Sequence, residues 1–255
     1  MENNLKTYEP TISYHELIMV LDNLENTKNY PLPNGYEFVF WENEKDLQSW
    51  INIHISTGEF ASITDCEKTF YDFYKHIENE LTKRVIFIKD IDGNKIATAT
   101  LSPANENGYS CVIDWFAISN TAQGKKLSKP LLSKIIDITK NFGYEKILLH
   151  TQTNSWLAAK VYLDFGFVPF NTNETLGWKI LKSIINHPKL KDFEVCEDIF
   201  DPLAVNIKNQ LSKIYKTFDF NVWYKNGRND IYVHSNQNFH EYKFYDNGNK
   251  IVKVK

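Results

Sequence analysis

Twelve residues between two apolar runs, Ser119-Asn120-Thr121-Ala122-Gln123-Gly124-Lys125-Lys126-Leu127-Ser128-Lys129-Pro130, join an expected strand to an expected helix. A helix start presents backbone N–H groups with no helical partner and a partial positive charge, which together suit a pyrophosphate or similar anion. Lys125, Lys126 and Lys129 add charge where that anion would sit. Pro130 in the first turn forfeits no hydrogen bond, because its missing N–H would have no partner there. A strand, a basic turn and a helix also occur as plain surface, and spacing alone leaves both readings open. Four side chains along the chain can accept a proton directly or through water: Asp114, Glu59, His54 and His150. Each has an ordinary alternative. A strand Asp is commonly solvated or hydrogen-bonded, Glu59 after Gly58 suits a plain helix end, and His150 closing an apolar strand suits a satisfied core histidine.

The following segment, residues 146–170, reads KILLHTQTNSWLAAKVYLDFGFVPF. Together with the loop it resembles the GNAT superfamily of acyl-CoA-dependent N-acetyltransferases. The family's phosphate loop, Q/R-x-x-G-x-G/A, lies on Gln123 to Ser128, and its later A-x-x-x-Y-x-x-x-G-F helix lies on Ala158, Tyr162, Gly166 and Phe167. The resemblance covers roughly residues 36–180. It is narrowed to a bacterial subgroup by Leu32–Tyr36 (L-P-x-G-Y), Gly58–Phe60 (G-E-F) and Leu149–Thr153 (L-H-T-Q-T).

The resemblance implies an α/β (α+β) fold with a mixed, mostly antiparallel central sheet splayed at its centre and flanked by helices. It implies acetyl-CoA as co-substrate, lying across Gln123, Gly124, Lys125, Lys126, Leu127 and Ser128, with Ser155 also among the binding residues. The strand before the loop would open at a bulge, where a backbone N–H around Ala117 and Ile118 meets the acetyl carbonyl. Tyr162 matches the general acid, its alternative being an aromatic packed between helix and sheet. Asp114 and Glu59 are the favoured proton acceptors, and the acceptor substrate is a small-molecule primary amine. A non-catalytic acyl-CoA or ligand-binding module and a protein or peptide N-acetyltransferase are the competing readings. Lys126 and Ser128 stand where the family has small residues, and Asp114 stands where the subgroup often has His. Lys126 can still offer its N–H if its backbone is helical. By simple alternation, Asp114 shares the parity of Ile118 and not of Ala117.

These residues need elements to position them. Residues 1–35 read as an N-terminal arm, 36–185 as the acetyltransferase-like domain, and 186–255 as a helix plus β-meander extension. Tyr36–Trp41 predicts a strand; 44–57 predicts a helix with Leu47, Trp50, Ile51, Ile53 and Ile55 at mostly helical spacing. Thr64 is placed to N-cap a helix to Leu81 bearing Phe70, Phe73, Tyr74 and Ile77. Strands at 84–89 and 95–101 flank the turn Asp90–Asn94, and a third follows at 111–118. A helix at 126–142, a strand at 146–151, a helix at 155–165 and a strand from Phe167 complete this part. The tail predicts a helix at 201–217 and strands at 221–224, 230–234, 239–245 and 250–254. Turns at Asn226-Gly227, Asn236–Asn238 and Asn247-Gly248 separate them. The tail is open to three roles: capping the acceptor site, forming a homodimer contact, or recruiting a partner.

Composition narrows the class. The 255 residues carry a net charge of −3, 42% apolar residues and 24% charged ones, a globular balance. Of 29 basic residues only Arg84 and Arg228 are arginine. Guanine reading and stacked phosphate clamps favour Arg, so no nucleic-acid partner is expected. No apolar run reaches membrane-spanning length, and the first ten residues lack a secretory pattern. The three cysteines are scattered without a Cys-x-x-Cys pair, as a cytoplasmic chain would have them, and no metal-ligand spacing is present. The G-x-S-x-G elbow of a serine hydrolase and the glycine spacing of a P-loop are absent.

Overall fold

The structure is a computed structural model describing residues 8–60, 62–170, 175–223, 229–235 and 238–254. Two compact units emerge. One comprises Ile18–His150 with Val161–Phe170; the other comprises the residues up to Leu17, Thr151–Lys160, and the chain from Asn171 on.

The first unit is built on a seven-stranded sheet. Its strands are β1 (Glu16–Leu21), β2 (Tyr36–Phe40), β3 (Val85–Asp90), β4 (Lys95–Glu106), β5 (Tyr109–Ile118), β6 (Ile147–Gln152) and β7 (Val168–Phe170), in the order β2-β3-β4-β5-β6-β1-β7. Strands β2 to β5 run antiparallel, β5 and β6 are parallel, and β1 pairs antiparallel with β7. The mixed, mostly antiparallel sheet is thus as the sequence predicts. Glu16–Leu21, within the stretch read as an arm, supplies one of its strands.

Helix α1 (Lys45–Thr57) buries Leu47, Trp50, Ile51 and His54, an i, i+3, i+4, i+7 stripe. Helix α2 (Ile63–Tyr74) follows, then a 3-10 stretch (Lys75–Glu80) and the one-turn α3 (Leu81–Arg84). The cap of α2 is Ser62, whose hydroxyl accepts from the Asp65 N–H at 3.0 Å; Thr64 already lies inside the helix. Ser62 has extended backbone angles, as an N-cap requires, which explains the two-residue difference from the sequence expectation. Trp41, Trp50, Phe70, Tyr74 and Phe87 form the centre of this core. Val85, Ile86, Phe87 and Ile88 of β3 are all buried, so the strand shows no polar alternation; both its faces are covered. Strands β4 and β5 extend past their sequence-expected ends to the two-residue turn Asn107-Gly108, whose positive φ values of 53° and 79° suit a tight hairpin. Helices α4 (Ser128–Asn141) and α5 (Trp156–Phe165) flank β6 in sequence.

In the second unit, α6 (Thr175–Ile184) and α7 (Pro202–Leu211) precede a four-stranded sheet of β8 (Asp219–Trp223), β9 (Asp230–Ser235), β10 (Asn238–Tyr245) and β11 (Lys250–Lys253). Its order, β11-β10-β9-β8, is the expected antiparallel meander. Ile207 and Leu211 of α7 pack on Phe220, Ile231, Val233, Tyr242 and Phe244. Helix α7 stops at Leu211, six residues short of the expected end, and the chain turns so that the Tyr215 hydroxyl meets that of Tyr242 at 2.6 Å. Of the expected turns, Asn226-Gly227 and Asn236-Gln237 lie outside the described residues, while Gly248 occupies a left-handed turn. Among the described residues, no helix is long and apolar enough to cross a membrane.

Within α6, Gly177 is a poor helix former in the place of a good one, yet a Cβ there would meet the His15 Cβ at 2.8 Å and the Leu17 Cδ2 at 2.9 Å. Ala normally gains about 1 kcal/mol over Gly inside a helix, whereas overpacking costs about 1–3 kcal/mol. Gly177→Ala is expected to lower stability in urea unfolding despite its better propensity.

Candidate functional site

Strand β5 pairs with β6 only at Val112↔Leu148 and Ile113↔Leu149, and beyond Ile113 the two part. On its other edge β5 stays paired with β4, but Thr100 lies opposite Asp114 while Thr98 lies opposite Ala117. Two β5 residues, Trp115 and Phe116, therefore face the single Ala99. This is a β-bulge, with Trp115 at φ +49°. The bulge reverses the alternation expected from sequence: Asp114 and Ala117 share the face of Thr100 and Thr98, and Ile118 faces the other way. One extra residue shifts side-chain parity by one.

Backbone direction follows from the same ladder. The Ser119 N–H donates to the Ile96 carbonyl at 2.8 Å, so Ile118, opposite Ala97, sits at a non-hydrogen-bonded position. Its N–H points away from β4, to the edge that β6 has left. Ala117, opposite Thr98, sits at a hydrogen-bonded position facing β4. Of the two expected donors, Ile118 is the one aimed into the gap.

The basic loop opens on the same end of β5. After a 3-10 turn (Asn120–Ala122), Gly124 and Lys126 take left-handed backbones, at φ +78° and +61°, and α4 begins at Ser128. The condition of a helical Lys126 is not met: the lysine adopts the conformation that a glycine would take there, at a cost of roughly 1–2 kcal/mol. The N–H groups of Gly124, Lys126, Leu127, Ser128 and Lys129 donate to no backbone carbonyl, and Leu131 is the first to close a bond, to Leu127 at 3.0 Å. Lys125 and Lys126 are exposed; Lys129 stands 3.7 Å from the Asp164 carboxylate. A run of N–H groups without backbone partners is therefore present in spite of Lys126 and Ser128, the donor chemistry that an anion such as a diphosphate takes. Ser155 belongs to the other compact unit, where its hydroxyl accepts from the Gln152 amide at 2.6 Å.

Two of the four acid–base candidates are partners. Helix α1 ends at Gly58, whose left-handed backbone (φ +79°) turns the chain so that Glu59 reaches back over the last turn. Its Oε2 lies 2.6 Å from Nδ1 of His54. His54 is fully buried and Glu59 is 46% exposed, so one carboxylate edge is anchored inside and the other meets solvent. Rings enclose the imidazole: Trp50 at 4.1 Å between centroids, Trp115 at 5.4 Å and Phe60 at 6.2 Å. Its Nε2 is buried without a hydrogen-bond partner, as are the indole nitrogens of Trp50 and Trp115. An orphaned buried polar atom costs about 1–3 kcal/mol, so a phenyl ring would suit this box better on packing alone. What the imidazole adds is the Nδ1 hydrogen bond.

Tyr162 is buried on α5, its ring 5.8 Å edge-on from Phe116 of the bulge and 6.0 Å from Phe167. The packing reading of this residue is met, and the same contacts set it beside the bulge. Burial, followed by the charge of Glu59, pushes its phenol well above the ordinary value, so it keeps its proton throughout the neutral range. Glu59 is thus close enough for its field to be felt at Tyr162.

Asp114 has a different setting. Burial pushes its carboxyl up, opposed by the Ser102 hydroxyl and by His150 and His76, with Glu106 raising it further. Its Oδ2 and the Ser102 Oγ are both shut off from solvent. His150, within β6, lies 3.1 Å from Glu106 and is a third exposed, so it is not the core histidine that its apolar strand suggests. No group of three His, Cys, Asp or Glu that could hold a metal exists among the described residues. Sequence reasoning named Glu59 and His54 separately and missed their pairing; the Gly58 that reverses the chain four residues after His54 was the available signal.

Comparison with known proteins bears on this geometry. The description of the acetyltransferase (GNAT) family matches residues 47–167. No curated protein matches. Among solved structures the chain is similar to a GCN5-related N-acetyltransferase from Sphaerobacter thermophilus, at 14% identity and a TM-score of 0.52, covering 64% of this chain and 50% of that one. It also matches an acetyltransferase of the GNAT family from Colwellia psychrerythraea, at 12% identity and a TM-score of 0.47, covering 63% and 55%. A spermidine N-acetyltransferase from Vibrio cholerae matches at 21% identity and a TM-score of 0.42, covering 53% and 81%. The chain spans about half the length of the first two of these.

The raised Asp114 carboxyl has a consequence for stability. For an acid whose folded value lies above its unfolded one, the native state holds more protons between the two values, so stability falls as pH rises through that window. Asp114→Asn is expected to stabilise the protein at neutral pH. The gain should shrink as pH falls toward the ordinary Asp value of about 3.9. Urea unfolding of both proteins along a pH series checks this; a gain independent of pH would refute the cause given.

Proposed function

We propose that this chain, whose seven-stranded unit has the GNAT acetyltransferase fold, is an acetyl-CoA-dependent N-acetyltransferase acting on a primary amine of a small molecule. The observation that carries the reading is the parting of β5 and β6 at the bulge. There an inward-facing Ile118 N–H and the unbonded N–H groups of the loop open from one end of the same strand. Gly124 and Lys126 to Lys129 would hold the diphosphate of CoA, with Lys125 and Lys126 neutralising charge. When bound, acetyl-CoA supplies an activated acetyl thioester.

The chain's own residues supply the rest. The Ile118 N–H is a fixed donor for the acetyl carbonyl oxygen, where negative charge grows as the amine attacks. Glu59 is the proton acceptor. It combines an exposed carboxylate edge with an anchored one, and its charge reaches Tyr162. An ammonium must lose two protons to become an amide. Glu59 takes the first; as the C–N bond forms and the C–S bond breaks, Tyr162 gives its proton to the departing sulfur, and the second nitrogen proton returns through water to the Tyr162 oxygen, leaving one proton on Glu59 to pass to solvent. The raised phenol keeps that proton available at neutral pH.

A second reading, an acyl-CoA-binding module without turnover, is favoured by one observation, the lysine held in a glycine conformation within the loop. Calorimetry with acetyl-CoA on the wild type and Lys126→Gly separates the two, followed by thiol release against an amine library. The catalytic reading expects micromolar binding by both proteins, amine-dependent thiol release, and a fall in kcat of about 10²-fold or more in Tyr162→Phe with binding unchanged. Binding without turnover of any amine or peptide selects the module. No binding by either protein refutes both readings.

A further inference from the structure

We infer that His54 is a positioning residue for catalysis: its buried Nδ1–H fixes the Glu59 carboxylate so that one oxygen, Oε1, is left to take the proton of the incoming ammonium. The inference rests on the reading of Glu59 as the proton acceptor, and it adds a residue that never touches substrate. An ionised carboxylate only accepts hydrogen bonds, so a 2.6 Å approach of Oε2 to Nδ1 requires the proton on Nδ1 and sets the tautomer of the ring. Oε2 is further approached by the Thr57 hydroxyl at 3.5 Å, which itself donates to the His54 carbonyl at 2.8 Å; Oε1 has no hydrogen-bond partner among the described residues. The carboxylate is thus held by one oxygen and open by the other.

The imidazole cannot do the proton transfer itself. It is fully buried, Trp50, Phe60 and Trp115 surround it, and its Nε2 reaches neither solvent nor a polar neighbour. Its rigidity is the useful property. Trp115, the left-handed residue of the bulge, packs edge-on against His54 at 5.4 Å, so the ring that holds Glu59 also touches the residue that opens the strand. The box links the base to Trp115, three residues before the Ile118 donor on the same strand. A loop carboxylate on a freely rotating side chain would have no fixed relation to the gap.

The test uses the full chain and three variants, His54→Phe, His54→Asn and Glu59→Gln. Phe fills the aromatic box and removes the donor; Asn keeps a donor near the Nδ1 position and fills the box badly. For the amine that the wild type acetylates, His54→Phe is expected to lose at least tenfold in kcat with KM for acetyl-CoA within twofold, and to melt no lower than the wild type. His54→Asn is expected to melt lower and yet recover most of the lost kcat. The double variant His54→Phe/Glu59→Gln should be no slower than Glu59→Gln alone, because the histidine acts only through the glutamate. Wild-type kcat in His54→Phe, or kcat that follows melting temperature across the variants, overturns the inference. Nitrogen-15 NMR of the imidazole gives a readout independent of turnover: a protonated Nδ1 in the wild type, with the shift altered in Glu59→Gln. If no amine is acetylated but Nδ1 is protonated, the functional reading fails and the positioning role falls with it. A ring protonated on Nε2 alone overturns the positioning role even in an active enzyme.

Discussion

Everything in the candidate site depends on strand β5 being unable to satisfy two neighbours at once. It pairs antiparallel with β4 along one edge and parallel with β6 along the other, and the second pairing ends after Ile113. A bulge at Trp115 and Phe116 keeps the β4 ladder intact while turning the strand away from β6. The gap that results is faced by the Ile118 N–H, and a main-chain donor turned into the interior of a sheet is costly unless a ligand or water meets it. The left-handed tryptophan at its hinge is held by Trp50, His54, Phe60 and Phe73, at 5.4–5.6 Å between ring centroids. The aromatic core under α1 thus serves the opening of the sheet as well as stability.

The loop and the proposed acid–base groups are arranged around that same opening. The loop starts one residue after Ile118, so its free N–H groups continue from the open edge of the strand. Gly58 ends α1 in a left-handed turn that returns Glu59 to its own helix. The Asn120 N–H meets the Ser56 hydroxyl at 3.3 Å, tying the end of α1 to the start of the loop. Short connections carry the placement: a cap, a turn and a bulge bring together groups from residues 54 to 162. None of this requires long-range charge steering, in keeping with a net charge of −3 on a chain of 255 residues.

Much of the architecture was legible in the residues because local physics decides it. Trp50 and His54 fall on the buried stripe of α1, Asp90–Asn94 forms the hairpin turn its composition suggests, and the tail alternates as a meander. The loop is visible in the sequence as a basic strand–helix junction, which plain surface loops share, and Tyr162 is singled out by the family resemblance of the segment around it. The Ser62 cap differed by two residues because any hydroxyl before a helix can cap, and only the extended backbone at 62 selects one.

Tertiary structure alone decided three matters. The face of Asp114 reversed because a bulge adds a residue, and a bulge leaves no mark in the alternation of side chains. Lys126 proved left-handed because the loop's closure imposes a backbone that the residue by itself disfavours. His54 and Glu59 became one unit because the aromatic box that buries the imidazole is assembled from α1, the segment after it and β5. The sequence by itself determined which elements exist and which residue types they carry. Which of those residues face each other follows from cross-strand register and packing, which depend on contacts far apart along the chain.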